Sequence, residues 1–292
     1  MPIDFLTIGH ITHDRAPEGF RLGGTVSFAA VTARRLGHQP AIVTRGSAEL
    51  LHDGADTVTR GYHVAPPGSP LAGIPIRLLP SAVSTTFTNT YRDGQRTQIL
   101  EALADPIAPE ELPDEWRDAA TVLLGPIARE IPTGWADVFP NSLVGITPQG
   151  WMRQWDEAGR VSPARWHNAA PFLQHADAVI LSREDVGGDD AYLRELAGQT
   201  KLLVVTDGWH GAWLYADGHS YHVPPRPARE VDPTGAGDVF ATAFLIRLSE
   251  TGDPLVAARF ANIVASISIE APGMDAIPER AQVDAWLRQQ AP

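Results

Sequence analysis

The sequence predicts an α/β fold: a mostly parallel central sheet flanked by helices on both faces, with a small β lid. Three observations predict it. Short apolar runs alternate with amphipathic segments along most of the chain, the βα rhythm of a parallel sheet covered on both sides. Two stretches break that rhythm with hairpin patterns, one between Tyr62 and Glu101 and one around Asp217-Gly218. No internal repeat, low-complexity tract or long linker divides the chain, so residues 1–292 are expected to form one domain.

The elements follow in order. "IDFLTIGHI" reads as a buried strand and "VSFAAVTARRLG" as a helix closed by Gly37. "AIVTRG", "TVLLGPI", "SLVGIT", "DAVILS" and "KLLVVTDG" repeat the strand signal, with helical stretches such as "PARWHNAAPFLQHA" and "DDAYLRELAGQ" between several of them. After a proline-rich loop, "TTFTNTYRDGQRTQILE" sets Asp93-Gly94 between alternating polar and apolar residues, as a hairpin turn would. A β-rich insertion in an α/β sheet is a candidate lid, expected mainly from segments near 10–22 and 62–101. "AWLYADGHSYHV" is a second hairpin, which adds antiparallel strands at one side of the sheet.

Composition narrows the function. With 43% hydrophobic and 20% charged residues the chain reads as globular. A formal net charge of -12 and the lack of an arginine stripe argue against a nucleic-acid or anionic-membrane partner. An anionic ligand must then be held locally, by backbone dipoles, a few arginines or a metal ion. The absence of cysteine excludes disulfides, thiolate nucleophiles and cysteine-ligated metals, and fits a reducing cytosol. "MPIDFLTIGH" lacks a basic leader region and no apolar stretch approaches a membrane span, so the expected location is the cytoplasm.

The stretch with the most chemistry is "EVDPTGAGDVFATAFL", Glu230 to Leu245. Pro233 pushes Asp232 toward an extended conformation, which stops a strand. Gly235 and Gly237 open backbone angles closed to other residues and leave no side chain between the amides and a ligand. Thr234 is expected to cap a helix beginning about Asp238. That helix, "DVFATAFLIRL", is apolar on nearly all sides and should be buried. Its N-terminus turns unpaired N–H groups and a partial positive charge outward. A phosphate held there would have the Asp238 carboxylate beside it, a repulsive pairing unless the acid removes a proton from an attacking hydroxyl. The pattern points to phosphoryl transfer.

Other nucleotide motifs are absent or disfavoured. Lysine occurs once, at Lys201, and no Walker-type loop or protein-kinase signature is present. "GAGDVF" half-matches a dinucleotide fingerprint but lacks its third glycine. His10 and His13 are spaced to opposite faces of a strand, and no His-Glu-x-x-His helix exists, so the histidines read as core or surface residues. Trp151, Trp155 and Trp166 read as packing.

"DPTGAGDVFATAF" resembles the C-terminal signature of the ribokinase-like, or PfkB, carbohydrate kinases. "LGGTVSFAAVTARRLG" is similar to that family's Gly-Gly motif and helix, "VVTDGWHGAWL" to its nucleotide-side strand and hairpin, and "RFANIVASISIEAPG" to the helix and loop beside adenine. The resemblance implies a ribokinase-like fold and an ATP-dependent kinase of a small hydroxylated acceptor. It implies Asp238 as general base and Gly235, Ala236 and Gly237 as the anion hole. It implies Asp14, Gly23, Gly24 and Phe28 at the acceptor, and Thr206, Gly208, Gly211 and Asn262 at the nucleotide. Read alone, Asp14 equally ends a strand and Gly23-Gly24 equally form a turn before a helix.

Two positions depart from the family. Phe28 stands where it usually has asparagine, and Ser182-Arg183-Glu184-Asp185 stands for its Asn-x-x-Glu motif. Glu184 and Asp185 are thus implied to serve magnesium indirectly, through water and ATP phosphates, while a solvated loop acid remains the alternative for Asp185. A monovalent cation such as potassium stays open, as does the choice between monomer and homodimer. "TTFTNTYRDGQRTQILEALADPI", "LGGTVSF" and Ser182 look most like the inositol-kinase branch. The expected acceptor is therefore myo-inositol or a related cyclitol, with another sugar or a nucleoside, or a non-catalytic binding role, as alternatives.

Overall fold

The computed structural model describes residues 3–16, 19–51, 57–59, 62–92 and 95–290. In chain order its strands are β1 (Phe5–Ile8), β2 (Thr12–Ala16), β3 (Gly19–Gly23), β4 (Pro40–Gly46), β5 (Thr57–Thr59), β6 (Tyr62–Val64), β7 (Pro75–Pro80), β8 (Thr86–Arg92) and β9 (Gln95–Ala102). There follow β10 (Thr121–Leu124), β11 (Leu143–Ile146), β12 (Arg153–Trp155), β13 (Val161–Pro163), β14 (Ala178–Ser182), β15 (Leu202–Thr206), β16 (Ala212–Ala216) and β17 (His219–Val223). The helices are α1 (Thr25–Arg35), α2 (Ala170–His175), α3 (Asp190–Ala197), α4 (Ala236–Thr251), α5 (Pro254–Ser268) and α6 (Arg280–Gln290).

The apolar runs read as strands meet in one sheet of order β17-β16-β15-β14-β11-β10-β1-β4-β7-β6-β5. Its middle, from β15 to β7, is parallel throughout. Because both faces are covered, Phe5, Leu6 and Ile8 of β1 are wholly buried, and the sequence shows a continuous apolar run in place of alternation. One face packs against α1, α4 and α5; the other carries Trp116, Trp135, Trp151, Phe172 and Tyr192. The turn joining β16 and β17 has Asp217 at φ 50° and Gly218 at φ 75°, the left-handed pair that a tight hairpin needs.

Helix α4 is the internal strut. Ala241, Ala243, Phe244, Leu245 and Ile246 are wholly buried, which agrees with the apolar character of its sequence. It lies so near β11 that a Cβ on Gly145 would stand 2.2 Å from the Leu245 side chain. That contact helps set the N-terminus of α4 at the carboxyl end of the parallel strands, where open α/β sheets bind ligands.

A separate sheet of order β3-β2-β8-β9 stands for the expected lid. It draws on residues 12–23 and 86–102, so the expected lid segment is corrected: β5, β6 and β7 extend the main sheet instead. Ile74 and Ile76 are about fully buried in the core beside α1, and β7 pairs in parallel with β4, which gives this segment more apolar cover than a lid could offer. The Asp93-Gly94 turn lies outside the described residues, though β8 and β9 flank it as an antiparallel pair. "PARWHNAAPFLQHA" is helical only over Ala170–His175, because Asn168 adopts φ 60° and Trp166 turns inward to stack on Trp151 at 4.8 Å. The β12–β13 hairpin was not anticipated in the sequence, where its three-residue strands carry almost no periodic signal.

Candidate active site

The loop before α4 is shaped by Asp232. Its Oδ1 accepts the Thr234 N–H at 3.0 Å and its Oδ2 the Gly273 N–H at 3.1 Å. Burial works to raise this carboxyl, but hydrogen bonds from Thr234 and Gly273 and the charge of Arg21 hold it below the ordinary range. Thr234 does not cap the helix as expected. Gly235 occupies the cap position in the left-handed conformation, φ 77° and ψ 2°, and offers no side-chain acceptor. Ala236 donates its N–H to the Pro233 carbonyl at 3.1 Å, which removes one of the three amides expected in the anion hole. Among the described residues the N–H groups of Gly235, Gly237 and Asp238 have no acceptor. A Cβ on Gly237 would meet nothing within 4 Å, so the loop faces open space there. The combination is an uncapped, positively polarised helix end.

Asp238 stands in the first turn of α4, with its carboxyl pushed up to about 6. Burial raises it, the Thr25 hydroxyl bond and the Arg153 charge oppose that rise, and Asp185 adds to it. Thr25 opens α1 and is 1% exposed. It has room because its neighbour in space is glycine: a Cβ on Gly125 would stand 2.5 Å from Thr25 Cγ2. Asp185 is held by its own loop, with Oδ2 accepting the Ser182 N–H at 2.8 Å and Oδ1 accepting the Gln149 amide at 3.2 Å. Arg153 rises on β12 and donates to the Ile127 carbonyl at 3.4 Å. Thr25, Gln149 and Arg153 escaped the sequence reading. Their signals were weak: Thr25 follows the Gly-Gly pair, and "PQGWMR" follows the carboxyl end of a parallel strand.

Asp14 and Gly23 meet in the lid. Thr12 Oγ1 donates to Asp14 Oδ1 at 3.1 Å, and a Cβ on Gly23 would stand 2.4 Å from Asp14 Oδ2. Gly24 has φ 86° and a Cβ there would meet the His10 carbonyl at 2.4 Å, so glycine is needed on both counts. Phe28, expected at the acceptor, is 6% exposed with its ring against Gly235.

The nucleotide-side residues divide. Thr206 is half-buried and donates to the Leu181 carbonyl at 3.4 Å, and Gly208 has φ 49° with open space beyond its α-carbon. Gly211 has φ 84° and sits where a Cβ would be 2.3 Å from the Val223 carbonyl. Asn262 is buried and its amide donates to Val223 at 3.0 Å and Pro224 at 3.1 Å. Gly211 and Asn262 therefore hold the exit of β17. Glu184 is exposed, unlike Asp185. His10 is buried between Thr85 and the Asp105 carbonyl, and burial lowers its pKa. Among the described residues no three histidine or acidic side chains gather as a metal cage, and no helix is long and apolar enough to cross a membrane.

Residues 172–280 match the model of the pfkB family carbohydrate kinases. A probable fructokinase-5 of Arabidopsis thaliana is 38% identical over 90 residues, 30% of this chain and 28% of that one. The inositol 3-kinase of Zea mays is 27% identical over 256 residues, 83% of this chain and 65% of that one. The chain thus spans less than two thirds of either relative. Among solved structures, a pyrophosphate-dependent kinase of the ribokinase family, complexed with a pyrophosphate analogue and myo-inositol, superposes with a TM-score of 0.77 at 21% identity, covering 96% of this chain and 99% of that one.

Fold and loop together define the class: a ribokinase-like α/β protein with an uncapped helix end beside a half-buried acid. Within that class, residues 172–280 are similar to the pfkB family carbohydrate kinases.

Proposed function

We propose that the protein transfers the γ-phosphoryl group of ATP to a hydroxyl of a small polyol, a cyclitol of the myo-inositol type. The observation that carries the reading is the pairing of the uncapped α4 terminus with Asp238 in its first turn. The acceptor oxygen forms a bond to the γ-phosphorus as the bond to the β-bridging oxygen breaks. The hydroxyl proton passes to Asp238, leaving ADP and a phosphate monoester. A carboxyl near 6 is too weak to ionise an alcohol beforehand, so the proton moves late in the step. The N–H groups of Gly235 and Gly237 face the charge on the transferring group, and Arg153 adds a cation.

The residues present fit a magnesium ion held chiefly by ATP and water. Asp185 is half-buried beside Asp238, and each of its oxygens accepts one hydrogen bond and keeps a second lone pair. When bound, the ion neutralises charge on the ATP phosphates. Glu184, exposed, is the more distant of the two acids.

Asp14, with Thr12 and Gly23 beside it, supplies the acceptor-side carboxylate, suited to adjacent hydroxyls. The Zea mays inositol 3-kinase and the structure with myo-inositol support the cyclitol over ribose or fructose. The test is phosphoryl transfer to myo-inositol, ribose, fructose and a nucleoside at equal concentration, with ATP and pyrophosphate as alternative donors. Preference for myo-inositol with ATP is the expected result. Preference for a furanose or nucleoside overturns the acceptor, and no transfer to any of them overturns the kinase.

A further inference from the structure

We infer that Phe28 is a positioning residue for phosphoryl transfer, its ring holding the anion loop at Gly235 instead of facing the acceptor. This rests on the kinase reading above. A Cβ built on Gly235 would lie 2.2 Å from Phe28 Cδ1, 2.3 Å from Cε1 and 2.5 Å from Cγ. The ring is therefore flush against the Gly235 α-carbon, and no other residue type fits above it. Gly235 at φ 77° is the joint on which the loop turns into α4. A flat support under a left-handed glycine restrains a residue whose backbone has no side chain of its own to fix it.

The same turn of α1 touches the site twice. Thr25 and Phe28 are three residues apart and share a helix face. Gly235 and Asp238 are also three apart, across the start of α4. Phe28 meets Gly235 and Thr25 meets Asp238, so one helix turn matches the other. Thr32 Oγ1 donates to the Phe28 carbonyl at 2.7 Å within α1, and Val26, Ala29 and Ala30 are wholly buried in the core shared with α4. The support is thus anchored in the densest part of the molecule. A smaller polar residue would leave a gap beneath Gly235, let the loop settle and turn its amides away from the transferring phosphoryl. Misplacement of about 1 Å at such a site costs ~10²-fold in rate.

Phe28→Asn and Phe28→Met separate positioning from acceptor contact. The expected result is that Phe28→Asn lowers kcat by about 10²-fold while the acceptor KM stays within about threefold, and that Phe28→Met, which retains volume and apolarity, recovers most of the rate. A raised acceptor KM with kcat retained would show that the ring lines the acceptor pocket, and overturns the proposal. Hydrogen exchange at the Ala236 and Val239 amides, which are bonded to the Pro233 and Gly235 carbonyls, gives a second readout that needs no turnover. Exchange at least tenfold faster in Phe28→Asn than in wild type, restored in Phe28→Met, supports the proposal; unchanged exchange overturns it. If Phe28→Asn does not fold, Phe28→Ala, which leaves the gap beneath Gly235 without burying a polar group, replaces it in both measurements. Wild type inactive with every acceptor and donor would sink the kinase reading, and the exchange experiment would still decide the role of Phe28.

Discussion

Leu100 donates its backbone N–H to the carbonyl of Gly159 at 2.8 Å, joining lid strand β9 to the loop between β12 and β13. Gly159 has φ 75°, and a Cβ there would stand 2.3 Å from the Leu100 carbonyl. Trp155 and Val161 of the hairpin pack with Phe87, Leu100, Ile127 and Ala128. The hairpin that carries Arg153 toward Asp238 is therefore the one that holds the lid.

Gly159→Val should break that join with little effect on the main core. Lost lid support should raise the acceptor KM by about tenfold, equivalent to ~1.4 kcal/mol. Steady-state kinetics measure the change, and hydrogen exchange at the Leu100 amide should quicken in parallel. An unchanged KM with fast exchange at Leu100 would show that the lid closes without the hairpin.

Asp238→Asn removes the proton acceptor while keeping the shape of the side chain. Turnover should fall by roughly 10²- to 10⁴-fold. The same variant should melt higher than wild type at pH 7.5. The folded carboxyl titrates near 6, above its unfolded value, so the folded state binds that proton more tightly. The acid therefore favours folding below its unfolded pKa, and that benefit is lost as pH rises through about 6. Asparagine avoids the desolvated charge, and its advantage in Tm should shrink as the pH is lowered toward 4. A mutant with near-normal turnover would disprove the base assignment.

The acid limb of kcat/KM should lie near pH 6, because Asp238 must be ionised to accept a proton. Thr25 lowers that carboxyl through its hydroxyl, while Arg153 lowers it and Asp185 raises it by charge. Thr25→Val, similar in shape but without the hydroxyl, should shift the limb to higher pH. Thr25→Ser should leave it in place. A pH–rate series on the three proteins checks the order.

Gly237→Val should fold normally, since a side chain at this position enters open space. That space is where the phosphoryl group is proposed to lie, so kcat should fall by at least about tenfold with a smaller change in acceptor KM. Circular dichroism and steady-state kinetics together test the two halves of this expectation. Intact kcat with a weakened acceptor would mean that the loop faces the acceptor instead.

The parallel sheet, the buried strut α4 and the glycine loop before it were legible in local sequence, because each depends on periodicity or on backbone freedom within a dozen residues. "DPTGAGDVFATAF" named both the helix end and its acid without any distant contact. The lid was half legible: its hairpin strands are local, but whether residues 57–80 join the lid or the main sheet depends on burial of Ile74 and Ile76 against residues far along the chain. Only the tertiary structure could reveal that Thr25 lies against Asp238 and Phe28 beneath Gly235, about two hundred positions apart. It likewise shows Asn262 tethered to Val223 and Pro224. Sequence carries residue type and local period, whereas the meeting of α1 with the loop before α4 follows from how distant segments pack into one core.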